Sequence, residues 1–148
     1  MRSVRVTTDL PLAAEAACEL AQKPALFAYV VRPIFAARDL PDRFDDVSAG
    51  TETAARLWWL GVLPSWRHHL RVVEIGSRGL YTNERGGLVR AWNHRLTFEP
   101  LPDGGGCRYT DEVQLDAGPV TPLVWLFAQL LFRYRQARWR GLARVLAG

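Results

Sequence analysis

Leu88 to Asp116 reads LVRAWNHRLTFEPLPDGGGCRYTDEVQLD, and this stretch decides the fold. Trp92, His94, Leu96 and Phe98 alternate with Asn93, Arg95, Thr97 and Glu99. Such alternation puts the first set on the core face of a strand and the second in water. Tyr109, Asp111, Val113 and Leu115 repeat the pattern against Arg108, Thr110, Glu112 and Gln114. Pro100 to Gly106 is a glycine-rich hairpin loop, so strands Leu88–Phe98 and Cys107–Asp116 pair antiparallel. Folding that hairpin sets His94 opposite or diagonal to Asp111, and directly opposed residues lie about 4.5–5.5 Å apart. A carboxylate on an otherwise apolar face needs a partner. The imidazole is the nearest candidate.

The same pattern runs upstream as a meander. Thr53–Leu60, Trp66–Ile75 and Leu80–Glu84 read as strands, separated by a loop with Gly61 and Pro64 and by the turn Gly76–Gly79. Gly86-Gly87 closes the third of them. Trp66, His68, Leu70 and Val72 point inward, with Arg67, His69 and Arg71 outward. At the start, Val4 and Val6 alternate with polar residues, so Val4–Thr8 joins the sheet. Asp9 and Pro11 then begin an alanine-rich helix ending near Gln22, and Pro24 opens a second over Ala25–Tyr29. Pro33 forces an extended path, and Pro41–Gly50 is a polar loop. After Gly118-Pro119 the period turns helical, with Thr121-Pro122 as the start. Leu123, Leu126, Phe127, Leu130, Leu131, Tyr134, Leu142 and Val145 recur at three- and four-residue spacing. This helix spans about 25 residues, or roughly 37 Å. It is expected to cross the concave side of the sheet through Leu123, Phe127, Leu130, Leu131 and Tyr134, leaving Trp125 and Phe132 off the stripe. The reading is α+β, one domain over residues 1–148.

A chain of 148 residues with 49% hydrophobic content buries a sizeable core without staples. Cys18 and Cys107 are far apart and read as small buried hydrophobes rather than a disulfide framework. Met1 leads straight into a strand, and Leu123–Phe132 is too short to span a bilayer, so a cytoplasmic protein is expected. The net charge of +4 is almost wholly arginine, since Lys23 is the only lysine. Arg133, Arg135, Arg138, Arg140 and Arg144 crowd the terminal helix. They read as a solvated face complementing the helix dipole, and the absence of a basic-aromatic sheet surface argues against nucleic acid. The apolar half of that helix looks hydrophobic nearly all round, a hint of membrane-surface contact or of a homodimer. Glu84 and Arg90 flank Gly86-Gly87 and could point inward on adjacent strands to line a pocket mouth, but a plain rim ion pair is the preferred reading. His68 is expected well over 10 Å from His94 at about 3.3 Å per residue, so no three-ligand metal site forms and no cofactor is implied.

These marks together resemble the START-like, helix-grip superfamily (SRPBCC), and in particular its bacterial polyketide cyclase/dehydrase-like branch. Trp92-x-His94-x-Leu96-x-Phe98-Glu99-Pro100, the glycine-rich hairpin, Tyr109-Thr110-Asp111-Glu112-Val113 and the arginine-rich terminal helix carry the likeness. It implies a curved antiparallel sheet wrapped around a long C-terminal helix, with two short helices after the first strand. It also implies an internal cavity, but no single chemistry.

The leading expectation is a binding module for a small hydrophobic or amphipathic molecule, such as a lipid, a quinone or a polyketide-like aromatic. Its wall would be Trp66, Leu70, Leu80, Trp92, Leu96, Tyr109 and Val113 from the sheet, with Phe127 and Leu131 from the helix. The alternatives are a cyclase or dehydratase that moves protons through His94 and Asp111, or an interaction protein with a closed cavity.

Overall fold

The computed structural model describes residues 1–38 and 48–148, so most of the loop expected at Pro41–Gly50 lies outside the described residues. The chain runs β1 (Arg2–Leu10), α1 (Ala14–Ala21), α2 (Pro24–Val31), β2 (Phe35–Arg38), β3 (Glu52–Trp59), β4 (Leu63–Ile75), β5 (Gly79–Gly86), β6 (Val89–Pro100), β7 (Cys107–Asp116) and α3 (Thr121–Ala147). Among the described residues one sheet holds seven strands in the order β1-β7-β6-β5-β4-β3-β2, each pair antiparallel. Consecutive strands are neighbours except at one edge, where β1 returns to β7 and sets Val4 against Val113. The strand at Phe35–Arg38 was expected only as an extended path, and Pro64 falls inside β4 rather than in the loop before it.

Two turns require glycine. Gly106 has φ +141, and a Cβ there would stand 2.0 Å from the Leu10 carbonyl oxygen, so the β6–β7 loop closes against the end of β1. At Gly86 a Cβ would meet the Trp66 ring at 2.4 Å. The β5–β6 turn therefore lies directly on that indole.

The core sits between the sheet and the three helices. Phe98 stacks on Tyr109 with centroids 4.8 Å apart, and both lie near Trp139 of α3. Trp92 stacks on Phe132 at 5.7 Å, in a second cluster with Val4, Val113, Leu115 and Ala128. A third aromatic group joins Phe35, Trp59, Trp66 and Phe127.

The inward face of α3 differs from expectation. Thr121, Ala128, Leu131, Phe132, Arg135, Gln136, Trp139 and Ala143 are buried. Leu123, Leu126 and Leu130 are more than half exposed, and Tyr134 is half-buried with its hydroxyl donating to the Arg32 carbonyl. The helix is thus rotated relative to its leucine stripe. Polar bonds set that rotation: Gln136 Nε2 donates to the Val6 carbonyl at 2.7 Å and to Asp111 Oδ2 at 3.0 Å. Trp125 Nε1 reaches the Ser3 carbonyl at 2.8 Å, and Arg140 reaches Thr8 Oγ1 at 2.9 Å. Nor do the arginines form one face. Arg138 lies over the Tyr29 ring and bonds its carbonyl, Arg140 is on β1, and Arg135 points inside. No described helix is long and apolar enough to cross a membrane.

Candidate functional site

Four neighbouring strands each contribute one histidine or carboxylate to the concave face, stepped diagonally. In the registers Leu70↔Glu84, Thr82↔His94 and Leu96↔Asp111, each of His68, Glu84, His94 and Asp111 lies two residues off its neighbour's partner. Diagonal neighbours sit about 7–8 Å apart at the backbone, within reach of long side chains. The result is a continuous polar line across β4, β5, β6 and β7.

Its bonds are short. His68 Nε2 lies 2.6 Å from Glu84 Oε2, while His68 Nδ1 accepts from Trp66 Nε1 at 3.3 Å. That pattern selects the Nε2-protonated tautomer, which donates to the carboxylate. Thr82 Oγ1 donates to Glu84 Oε1 at 2.6 Å, and the same oxygen is 3.8 Å from His94 Nδ1. His94 Nε2 lies 2.7 Å from Asp111 Oδ1, which also accepts from the Tyr109 hydroxyl at 2.6 Å. Asp111 is fully buried, and Gln136 binds its second oxygen.

Charge follows from these bonds. Burial disfavours the His94 imidazolium, but the bonds to Asp111 and Glu84 outweigh it and raise its pKa. Burial likewise works against the Asp111 and Glu84 carboxylates. His94, aided by Arg135 and Tyr109, holds Asp111 below its ordinary value; His68 and His94 hold Glu84 far below its own. Burial, reinforced by the Asp111 charge, pushes the Tyr109 hydroxyl well up. Burial also raises Cys107 to about 11, keeping it a neutral thiol.

A cavity of ≈ 120 Å³ lies against this line, between the sheet, the α1–α2 junction and α3. Leu70, Val72, Leu80 and Leu96 of the sheet and Leu26, Phe27 and Val30 of α2 form apolar wall. His68, Thr82, Glu84 and His94 also line it, and Arg135 and Trp139 complete it from α3.

Of the residues expected from sequence, Leu70, Leu80, His94 and Leu96 line the cavity. Asp111 stands behind His94, Trp92 and Val113 pack with Phe132, and Tyr109 packs with Phe98 and Leu131. Trp66 and Phe127 belong to the aromatic group with Phe35 and Trp59. Two expectations are corrected. His68 and His94 share the Glu84 carboxylate instead of lying far apart, because diagonal steps and the irregular registers after Val72 and Glu84 bring the strands' residues together. Glu84 turns inward to the histidines rather than pairing with Arg90 at a rim; the Arg90 guanidinium lies beside Gly118. Sequence reading missed Arg135, Thr82, Trp139 and the α2 wall of Leu26, Phe27 and Val30. Among the described residues, no group of three or more His, Cys, Asp or Glu is placed to hold a metal ion.

The family model described as domain of unknown function (DUF8410) matches residues 37–144. No curated protein matches the chain. Among solved structures, a protein of Chromobacterium violaceum is similar at TM-score 0.78 and 14% identity, covering 96% of this chain and 97% of that one. A START superfamily protein of Mycobacterium smegmatis is similar at TM-score 0.73 and 16% identity, covering 97% and 98%. A protein of Nitrosomonas europaea is similar at TM-score 0.74 and 12% identity, covering 96% and 94%. At such identities the likeness is one of fold, the START-like helix-grip architecture.

Proposed function

The chain belongs to the DUF8410 family, a description that names no activity, and we propose that it binds a small apolar or amphipathic molecule in the cavity beneath α3. The carrying observation is the cavity itself: a largely apolar wall with a few convergent polar groups, the usual make-up of a small-molecule site. Its ≈ 120 Å³ is near the scale of the roughly 150 Å³ engineered cavity that takes benzene. It is smaller than the roughly 300–1,000 Å³ of drug-sized sites. A single aromatic ring or a short chain fits better than a whole lipid, quinone or polyketide.

The dyad reading is weaker as catalysis. A general base must reach its substrate with a free lone pair. Both His94 nitrogens face carboxylates, and Asp111 is sealed behind it with both oxygens bonded. These contacts favour bracing the wall and orienting a ligand over moving a proton.

Trp139 lines the cavity and is buried, so it serves as the reporter. Bromobenzene, a heavy-atom quencher of benzene size, should quench its fluorescence saturably. Trp139→Phe should remove that saturable component, and Ala55→Phe, which fills the cavity from β3, should weaken binding by about tenfold or more. Quenching that never saturates, or that survives Trp139→Phe, would defeat the reading.

A further inference from the structure

Arg135 is a charged side chain of the cavity whose charge favours the Asp111 carboxylate but which makes no close ion pair among the described residues. It sits on the inward face of α3, nine-tenths buried, and lines the cavity. Its Nε is fully buried with no hydrogen-bond partner among the described residues. The two carboxylates nearby are already engaged. Glu84 accepts from His68 and Thr82 and faces His94; Asp111 accepts from His94, Tyr109 and Gln136. The face of Phe132, 4.7 Å from the guanidinium carbon, supports the cation but accepts no N–H bond along its edge. Burying a guanidinium without a hydrogen-bonded partner is costly, and a leucine or methionine would fill the same volume without that cost.

We infer that Arg135 anchors the anionic head group of the molecule the cavity takes, and that this group is a carboxylate. The inference rests on the cavity-binding reading above. The planar guanidinium fork matches a carboxylate in two-point contact. A phosphate, with more charge and more acceptor atoms, would ask for further donors; among the described residues His94 is already turned to its own carboxylates, and Lys23 is exposed at the cavity's edge. The apolar remainder of the ligand then lies against Leu26, Val30, Leu80 and Leu96. Position 135 thereby sets the class of ligand: a small aromatic or short-chain acid rather than a neutral hydrocarbon.

The test compares phenylacetate with phenylacetamide, which has the same shape and no charge, using ethylbenzene as the apolar control. Binding is read from the indole resonance and fluorescence of Trp139. The wild-type protein should hold phenylacetate about tenfold or more tighter than phenylacetamide. Arg135→Met should erase that preference. Arg135→Gln, which keeps a polar group, provides a second variant, and the wild-type comparison needs none. Equal binding of acid and amide by wild type overturns the anchor while sparing the cavity. So does a preference that persists in Arg135→Met, or one lost in Lys23→Gln instead. If none of the three compounds binds, ethylbenzene included, the cavity-binding reading itself falls.

Discussion

Asp111 accepts hydrogen bonds from His94, Tyr109 and Gln136 while wholly cut off from water, so its charge depends on those three donors. Removing His94 alone, as in His94→Leu, leaves that charge short of its cationic partner and should cost about 3–5 kcal/mol. Asp111→Asn, which keeps the shape but loses the charge, should cost about 1–3 kcal/mol. The double variant His94→Leu with Asp111→Leu should lose less than the two single leucine variants added together. Simple additivity in urea denaturation would mean the two residues do not interact. The pH dependence has a definite sign. His94 holds its proton more firmly in the folded protein, so its stabilisation is full below about pH 6.5 and is lost as pH climbs through the raised folded value. Glu84 and Asp111 act oppositely: theirs is present above the ordinary carboxylate range and is lost as acid reaches their lowered folded values. Melting temperature against pH should therefore fall on both sides, and His94→Gln should flatten the alkaline side. At this scale the sequence showed the His94–Asp111 contact, because period-two alternation and one hairpin loop suffice to place it. Glu84 could be read as inward but not as the histidines' partner, because those partners come from two different strands, across registers with irregularities that no spacing reveals.

For α3 the decisive quantity is which way it faces. Its first half is apolar nearly all round, so hydrophobic spacing alone leaves the rotation open, and the longest leucine stripe turned out to be the outer one. Gln136 and Arg135 mark the true inner face, and their polarity is what concealed it. The rotation predicts unequal substitutions. Leu130→Ser, on the exposed side, should change stability by no more than about 0.5 kcal/mol. Phe132→Ala, between Trp92 and His94, should cost about 3–5 kcal/mol. Equal costs at the two positions in chemical denaturation would refute this orientation. The strands were easier to read. The bounds of β7 follow from its glycines and its alternation, whereas Phe35–Arg38 is too short for any period to declare it a strand.

The whole molecule depends on α3 as a lid over the concave face and as a clasp on β1. Among the described residues that strand has a paired neighbour on one side only, and Trp125, Gln136 and Arg140 supply bonds from the helix. Ending the chain after Gly118 would uncover Phe98, Tyr109 and Trp92 together. The fragment should be insoluble or molten, with dispersed amide signals lost and hydrophobic-dye binding gained; a compact fragment with a sharp thermal transition would contradict this architecture. The pairing of Val4 with Val113 also has a consequence in time. During synthesis β1 leaves the ribosome roughly a hundred residues before its partner strand, a wait on the order of 5–20 s at ordinary elongation rates. Throughout that interval its valines and its backbone donors have no native neighbour. Arg2 and Arg5, exposed beside Val4, place positive charge along the waiting strand and hinder its pairing with another nascent copy.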